Sequence, residues 1–232
     1  MNLSIILPCY NEEKNIPLIL EKFNNCIKTE DIELILVNNG STDNSEDVLK
    51  KILPKYSFAR SVKIEINQGY GHGVFEGLKS SKGEFMCYTH ADLQTDPGDV
   101  LKGYHIIKNS SDPENCFIKG DRKGRGFIDQ FFTLGMSIFE TLYLRAILWD
   151  INAQPNLFHR KFFKSLDNIP KDFSLDLYFL FMAKKRGLNI IRFDVIFPPR
   201  IHGVSSWNDG FSSRWKFIKR TINFSTNLKK EL

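Results

Sequence analysis

The sequence predicts an α/β domain in which a mostly parallel β-sheet is covered by helices on both faces. Short apolar runs at residues 3–7, 32–37, 62–66 and 84–88 have the length and composition of buried strands. Stretches of helical length separate these runs, and strands that alternate with helices favour parallel pairing. The 232 residues are 42% hydrophobic and 25% charged, which is ordinary for a globular chain with a sizeable core.

A turn rich in polar residues or glycine follows each of the four predicted strands. Asn11 is expected to cap a first helix that runs to about residue 28, and Thr42 or Asp43 a second that runs through about residue 53. A third helix, to about residue 80, follows the glycine-rich turn at 69–73. Because the carboxyl ends of parallel strands share one edge, we expect these turns to lie together, where open α/β sheets bind ligands.

The alternation is looser after residue 100. The further predicted elements are strands at 116–119, 156–158 and 189–197 and helices at 127–149 and 174–186. The aromatic helix at 127–149 presents an apolar face that suits a second subunit, so an oligomer is left open. We expect one main domain over residues 1–200 and a basic, aromatic helical segment over residues 201–232.

The charge and cysteine patterns exclude several classes of protein. The net charge of +5 is mild and is concentrated in residues 214–230, so we expect no nucleic-acid partner. That basic stretch suits an anionic membrane surface, or else a helix packed on the domain with solvated lysines. The four cysteines form no Cys-x-x-Cys pair, which favours reduced thiols in the cytoplasm over a disulfide framework or zinc site. We expect neither a signal peptide nor a bilayer-spanning stretch.

The turn after the fourth strand is a candidate metal site. Asp92 and Gln94 lie two residues apart, and on an extended chain they would point to the same side. Both offer the hard oxygen ligands that divalent cations prefer. Two oxygens cannot hold such an ion alone, so a bound phosphate would have to supply others. A polar strand-end turn, closed by Pro97, is the alternative.

Two other turns on the same edge suit a nucleotide. Pro8 and Tyr10 leave the first strand, and the ring of Tyr10 could stack on a base, while Glu12 is equally explained as a partner of the helix dipole. The glycines at 69–73 could bring backbone N–H groups close to phosphate oxygens. Their spacing differs from the dinucleotide-binding fingerprint, so this signal is weak alone.

The second half supplies cations and acids that suit group transfer. Arg122 lies in a glycine-flanked basic loop that could clamp a diphosphate, or that is simply solvated. Arg200 and His202 stand on a loop that would reach a leaving phosphate if it folded back. Asp150 and Asp176 are the candidate catalytic acids, although an acid at the start of a helix, as Asp176 is, is common for structural reasons.

Taken together, these residues resemble the inverting nucleotide-sugar glycosyltransferases of family 2, which have the GT-A fold. The nearest branch is that of the dolichyl- and polyprenyl-phosphate sugar transferases. The resemblance covers residues 3 to about 207, and each motif is weak alone while the ordered set is specific. The matching pieces are residues 6–12, 37–43, 67–71, 91–94 with Pro97, 120–122, and Arg200 with 202–205.

The resemblance implies a Rossmann-like, mixed sheet and a defined set of site residues. The implied donor-binding residues are Pro8, Tyr10, Asn11, Glu12, Asn39, Ser41, Gly69, Asp92, Arg122, Arg200 and His202. Asp92 and Gln94 would bind Mg²⁺ or Mn²⁺ against the diphosphate. Asp176 would act as general base towards a hydroxyl acceptor, whereas an acceptor phosphate would need no base.

The sequence departs from that family's pattern at several positions. His90 stands where the usual Asp-x-Asp has its first Asp, and Asn38 and Asn39 replace an Asp pair. Ser206-Trp207 replaces the Ser-Lys of the lipid-phosphate branch, and residues 150–155 differ from its usual Asp-Pro-Thr-Ser-Gly. The motifs that would bind the sugar donor therefore match the family's pattern better than those that would bind the acceptor.

We therefore expect a metal-dependent inverting glycosyltransferase of surface polysaccharide or glycolipid synthesis. Its donor would be a UDP- or GDP-linked sugar and its acceptor a polyprenyl phosphate or a glycan. The chain would be cytoplasmic and peripheral at the inner face of the membrane. The alternatives are a catalytically altered nucleotide-sugar-binding protein and a nucleotidyltransferase, although the latter ordinarily has a glycine- and lysine-rich first loop, which this sequence lacks.

Overall fold

The computed structural model describes residues 1–28, 31–198 and 211–230. In this part of the chain, seven strands form one sheet in the order β3-β2-β1-β4-β6-β5-β7. The strands are β1 (Leu3–Cys9), β2 (Ile32–Asn39), β3 (Ala59–Ile64), β4 (Phe85–Tyr88), β5 (Cys116–Lys123), β6 (Asn156–His159) and β7 (Asn189–Ile196). The helices are α1 (Asn15–Cys26), α2 (Ser45–Ile52), α3 (Tyr70–Ser80), α4 (Pro97–Lys108), α5 (Phe127–Leu144), α6 (Arg160–Lys164), α7 (Leu175–Lys185) and α8 (Phe211–Lys230).

The sheet is mixed and mostly parallel, which confirms the predicted fold class. β1 pairs in parallel with both β2 and β4, and β2 with β3. β6 runs antiparallel between β4 and β5, and β7 returns parallel to β5. The carboxyl ends of β1, β2 and β4 therefore meet at one edge, as the sequence predicted.

Side chains of β1 alternate between two hydrophobic cores, one on each face of the sheet. Leu3, Ile5 and Leu7 belong to one core together with residues of α1 and α4. Ile6 belongs to the second core, which contains residues of α3 and α7. Burial on both faces explains why this strand reads as an unbroken apolar run, since neither face of β1 meets water.

Several predicted element boundaries were wrong for identifiable backbone reasons. Asn11 does not cap α1, because its φ is 57° and the helix begins at Asn15. The predicted helix over 127–149 ends at Leu144, because Arg145 is left-handed with a φ of 54°. α4 was not predicted at all.

The basic segment at the end of the chain packs on the main domain. On α8, Thr221, Ser225 and Leu228 are buried, and the ring of Phe224 contacts that of Tyr178 on α7. Arg200 and His202, the two side chains predicted to reach the phosphate, lie outside the described residues. No helix among those that the structure describes is long and apolar enough to cross a bilayer.

Two helical glycines provide a matched test of the packing between α3 and the sheet. A Cβ on Gly77 would lie 2.4 Å from Cγ2 of Ile6 and 2.9 Å from Cγ2 of Val37, whereas a Cβ on Gly135 of α5 meets nothing within 4 Å. We expect Gly77→Ala to lower the free energy of unfolding by about 1–3 kcal/mol through overpacking. Gly135→Ala should raise it by up to about 1 kcal/mol through helix propensity. Urea unfolding of both variants measures the difference, and equal effects would contradict it.

Glu140 makes the contact between α5 and α8 sensitive to pH. Its side chain is fully buried, Ser225 Oγ donates to Oε2 at 2.7 Å, and burial raises the pKa of Glu140 to about 7. The unfolded chain releases this proton at a lower pH than the folded protein does. The free energy of unfolding therefore falls as the pH rises from the unfolded pKa of the carboxyl to its folded pKa. We therefore expect Glu140→Gln to gain stability relative to the parent between about pH 4.5 and 7, as measured by urea unfolding across that range. A constant difference between the two proteins would overturn this assignment.

Candidate active site

The loops that follow β1 and β2 are bound to each other by a set of hydrogen bonds. The N–H of Asn11 donates to Ser41 Oγ at 3.1 Å, and the N–H of Thr42 donates back to Asn11 Oδ1 at 2.8 Å. One residue on, the N–H of Glu12 donates to Ser45 Oγ at 2.9 Å. The left-handed backbone of Asn11 turns its side chain towards the second loop. Asn11 and Ser41, both expected to touch the donor, thus hold the two loops as one platform.

Tyr10 stands at the edge of this platform. Its side chain is 46% exposed although it directly follows the buried Cys9, so one large aromatic surface is accessible at the carboxyl end of β1. Glu12 lies beside it and accepts a hydrogen bond from Asn15 Nδ2 at 2.5 Å. This pairing places a carboxylate just before α1, next to the helix end where the dipole favours it.

Asn38 and Asn39, which end β2, are both buried and have different roles. Asn38 Oδ1 accepts from the N–H of Ser41 at 3.2 Å, which fixes the turn. Asn39 Nδ2 donates to the carbonyl of Gly69 at 3.0 Å, which joins β2 to the start of α3. An Asp could replace the acceptor of Asn38, but it could not replace the donor of Asn39.

Close packing requires glycine at positions 69 and 71. A Cβ on Gly71 would lie 2.5 Å from the carbonyl oxygen of Asp172, and a Cβ on Gly69 would lie 2.8 Å from that of Lys171. The N–H of His72 already donates to the Lys171 carbonyl at 2.8 Å. The start of α3 therefore lies directly against residues 170–172, and this N–H is not available to a phosphate.

The turn after β4 that contains Asp92 and Gln94, which we call the metal loop, is tight and not an extended chain. Leu93 is left-handed, with a φ of 62°, and the N–H of Gln94 donates to Asp92 Oδ1 at 3.1 Å. The expectation that Asp92 and Gln94 share one side of an extended strand is therefore wrong. Gln94 Nε2 donates to the carbonyl of Pro198 at 2.9 Å, which joins the loop to the segment that directly follows β7.

The donor set of this loop fits a hard divalent cation only in part. A carboxylate and an amide oxygen are suitable ligands for Mg²⁺ or Mn²⁺. Among the described residues, no group of three or more His, Cys, Asp or Glu side chains is arranged to hold an ion. Asp92 and Gln94 would thus contribute a minority of the ligands, and a diphosphate and water would have to contribute the rest.

Aromatic rings pack together next to the metal loop. The ring of Tyr70 stacks on Phe173 at 5.2 Å and contacts the ring of His90 at 5.9 Å. Burial raises the pKa of Tyr70, and the charges of Asp176 and Asp92 raise it further. Gln154 Nε2 donates to Tyr70 Oη at 3.1 Å and to Asp176 Oδ1 at 3.0 Å, so Tyr70 connects the surroundings of Asp176 to His90, which lies two residues before Asp92.

Asp176, the predicted base, lies at the floor of this site. Its Oδ1 accepts hydrogen bonds from Tyr88 Oη at 2.9 Å, Gln154 Nε2 at 3.0 Å and Asn156 Nδ2 at 3.3 Å. Within the described part of the chain, no donor reaches Oδ2. Burial raises the pKa of Asp176, and the side chains of Lys119 and His90 offset this only in part. A carboxyl group with one uncommitted oxygen and a raised pKa has the properties of a general base.

A buried lysine on β5 completes the network behind Asp176. Lys119 is fully buried, and its Nζ donates to Asn156 Oδ1 at 2.7 Å and to the carbonyl of Ala153 at 2.8 Å. Burial lowers the pKa of Lys119 to about 7, against the opposing effect of Asp176. The Asn156 amide thus joins a buried amine to a buried carboxylate.

Asp150 and Arg122 form a buried ion pair. Arg122 Nε donates to Asp150 Oδ1 at 2.9 Å, its Nη2 also contacts that oxygen, and its backbone N–H donates to Oδ2 at 3.0 Å. Burial would raise the pKa of Asp150, but the hydrogen bonds and charge of Arg122 outweigh it and lower the pKa. Both oxygens of Asp150 are occupied, so this acid is better placed to orient Arg122 than to accept a proton.

Comparison with known proteins identifies the family. The sequence profile described as glycosyl transferase family 2 matches residues 4–163, which is more than half of the chain. The chain belongs to glycosyl transferase family 2. The match spans β1 to α6 and includes the metal loop, but it ends before α7 and Asp176.

Curated relatives of this family 2 chain are named as lipid-linked sugar transferases. It is 28% identical over 112 residues to the dolichol-phosphate mannosyltransferase of Pyrococcus furiosus, covering 48% of this chain and 32% of that protein. It is 32% identical over 115 residues to the undecaprenyl-phosphate 4-deoxy-4-formamido-L-arabinose transferase of Photorhabdus laumondii. That match covers 45% of this chain and 35% of that protein. The matched part is about a third of the length of each relative.

Solved structures support the fold of the family 2 domain. Glucosyl-3-phosphoglycerate synthase from Mycobacterium tuberculosis, in complex with Mn²⁺, UDP-glucose and phosphoglyceric acid, superposes with a TM-score of 0.72 at 19% identity. The superposition covers 97% of this chain and 80% of that one. At this identity the likeness establishes the GT-A fold alone.

Sequence reasoning missed several residues that shape the site. Lys119, Gln154 and Asn156 are all fully buried around Asp176. Lys119 carried little signal, because it ends the apolar run at 116–118 and a charged stretch follows it; a lysine is rarely buried without a partner. Asp172 was also missed: it accepts from the N–H of Ser174 at 2.9 Å and lies 3.6 Å from Arg220 of α8.

The two asparagines that replace the family's Asp pair allow a matched test. We expect Asn39→Asp to lower the free energy of unfolding by about 1–3 kcal/mol, because it removes the donor to Gly69 and sets two buried acceptors against each other. Asn38→Asp retains the acceptor for Ser41 and should have a smaller effect. Chemical unfolding at neutral pH compares them, and a larger loss for Asn38→Asp would refute the assigned roles.

Proposed function

We propose that this family 2 chain is a metal-dependent, inverting glycosyltransferase. It would transfer a sugar from a nucleoside-diphosphate donor to a polyprenyl phosphate or a related glycolipid or glycan, in the synthesis of surface polysaccharides or glycolipids. The observation that carries the proposal is a chain of contacts from the metal loop to the buried Asp176: the ring of Tyr70 contacts that of His90, two residues before Asp92, and Gln154 Nε2 donates to both Tyr70 Oη and Asp176 Oδ1.

The known proteins support the two substrates separately. The solved neighbours were captured with UDP or UDP-glucose and with Mn²⁺ or Mg²⁺, which supports a nucleotide-sugar donor and a metal. The curated relatives are named for dolichol phosphate and undecaprenyl phosphate, which supports a lipid-phosphate acceptor. The neighbours favour UDP over GDP as the first nucleotide to test.

The donor would bind across the platform formed by the loops after β1 and β2. Tyr10 offers an exposed ring for the base, and the joined loops offer a rigid edge for the ribose. Asp92 and Gln94 would hold Mg²⁺ or Mn²⁺, which stabilises negative charge on the departing diphosphate. Arg122, oriented by Asp150, would add a second positive charge. Arg200 and His202 remain proposed donor contacts.

The acceptor would be activated according to its chemistry. A hydroxyl acceptor must lose a proton during in-line attack on the anomeric carbon, and Asp176 Oδ2 would accept it. The donors on Oδ1 hold the carboxylate in one orientation. A phosphate acceptor is already anionic and needs no base, so that Asp176 would then only position the acceptor. Attack from the face opposite the leaving group inverts the anomeric centre.

Donor binding can be tested without knowing the acceptor. We expect UDP with Mn²⁺ to raise the melting temperature by roughly 5–10 °C at a hundredfold excess over its Kd. Asp92→Ala should abolish the part of the shift that depends on Mn²⁺, while Asp99→Asn, in the first turn of α4, should preserve it. GDP is measured in parallel. The enzyme proposal fails if no nucleoside diphosphate gives a metal-dependent shift, and binding without turnover would favour a catalytically altered binding protein.

The role of Asp176 can be tested with two classes of acceptor. Asp176→Asn keeps an oxygen for the three donors, so the site should remain folded, as melting curves would verify. With a hydroxyl acceptor we expect kcat to fall by about 10²–10⁴-fold. The acid limb of the pH–rate profile, which lies above the ordinary carboxyl range because the pKa of Asp176 is raised, should disappear.

Two comparisons make this test decisive. With a polyprenyl-phosphate acceptor the same variant should lose little activity, because no proton has to be removed. Asp172→Asn should retain the acid limb. If Asp172→Asn loses the limb and Asp176→Asn keeps it, Asp172 is the base.

A further inference from the structure

The outward side of α5 is an apolar surface that the described chain leaves uncovered. Large apolar side chains are exposed along the whole helix and just beyond it: Phe127, Ile128, Phe131, Leu134, Ile138, Phe139, Leu142, Ile147 and Trp149. We call this set the α5 face. Phe131 is 64% and Leu142 74% exposed, which is unusual for side chains of this size.

The α5 face follows helical periodicity. Phe127, Phe131, Leu134, Ile138 and Leu142 recur at intervals of three or four residues, so they form one stripe on a helix of 18 residues. Such a helix is about 27 Å long. The opposite side of α5 is buried through Ser137, Glu140 and Leu144, so the helix is amphipathic by exposure and not only by sequence.

A strongly basic helix lies beside the α5 face. α8 spans 20 residues, of which six are Lys or Arg and none is Asp or Glu. It packs against the buried side of α5 through Ser225 with Glu140. Near its end it reaches the edge of the α5 face, where Lys229 Nζ lies 4.3 Å from the centre of the Tyr143 ring, which stacks on Phe139 at 5.5 Å. Lys219 and Lys230 are exposed, and Trp215 on the same helix is 62% exposed.

We infer that α5 and α8 together form a docking surface for an anionic lipid bilayer. Aromatic and aliphatic side chains beside exposed lysines match the boundary between acyl chains and negatively charged headgroups. A second copy of the chain fits this surface less well, because pairing through α5 would bring two acid-free helices together and their charges would repel. Charge complementarity thus selects the bilayer as the occupant.

The same helix reaches the candidate active site. The guanidinium of Arg220 lies 5.0 Å from the centre of the Phe173 ring and pairs with Asp172 at 3.6 Å. Phe173 stacks on Tyr70, whose ring contacts His90 and whose hydroxyl shares the Gln154 amide with Asp176. Docking through α8 would therefore place the site next to the membrane, where a lipid-linked acceptor resides; this last step rests on the proposed function, whereas the docking does not.

Vesicle flotation of the full chain tests the docking. We expect the protein to float with vesicles of phosphatidylglycerol and phosphatidylcholine, and to float much less with phosphatidylcholine alone. Phe131→Ser with Leu142→Ser should weaken binding by at least about tenfold. Lys219→Gln with Lys230→Gln should weaken it by about fivefold per removed cation and reduce its sensitivity to salt. The matched control is Ile66→Ser, because Ile66 is as exposed as Leu142, at 74%, but lies in the loop after β3.

Each other outcome overturns the inference. Unchanged flotation of the serine variant, or equal loss in Ile66→Ser, shows that the α5 face is not the contact. A chain that does not float but sediments as a dimer, which the serine variant dissociates, assigns the face to a second copy. Because flotation needs no nucleotide and the melting shift with UDP needs no lipid, the docking and the glycosyltransferase proposal fail independently.

Discussion

The burial of one amine and one carboxylate near each other constrains the architecture around the site. Lys119 on β5 and Asp176 on α7 are both removed from water, and each needs polar partners because an isolated buried charge is strongly unfavourable. β6 supplies them by running antiparallel between β4 and β5, which places Asn156 between the two groups. The reversal of that one strand, the position of α7 and the orientation of Asp176 are therefore parts of a single arrangement.

The parallel half of the fold could be predicted, because its strands are buried on both faces and each reads as an apolar run ended by a turn. The signal for α4 was present as well: Asp96 caps the helix by accepting from the N–H of Gly98, and Pro97 is its first residue. It was missed because the same residues were interpreted as a strand-end turn. The second half was harder, since β6 is four residues long and its direction depends on partners distant in sequence.

The residue types at the candidate site could be predicted, but many of their contacts could not. Tyr10 and Asp92 were predicted from chemistry and position, and Asp176 chiefly from the family resemblance. The left-handed Leu93, which makes the metal loop a turn, has no signature in the sequence. The role of Gly71 depends on a carbonyl about 100 residues further along the chain. The roles of Lys119 and Asn156 could not be predicted separately, because each depends on the hydrogen bond between them.

The hydrogen bond from Gln94 to the Pro198 carbonyl has a thermodynamic consequence. It joins the metal loop to the point where the chain leaves β7. Moving either segment away from the other therefore costs the free energy of this bond. A ligand that binds to the metal loop with this bond intact stabilises both segments, and a ligand that breaks it must offset the loss. By reciprocity, any partner that fixes the chain after β7 changes the affinity of the metal loop by the same factor. The affinity of this loop for any ligand is thus a property of two segments whose joined residues are 104 positions apart.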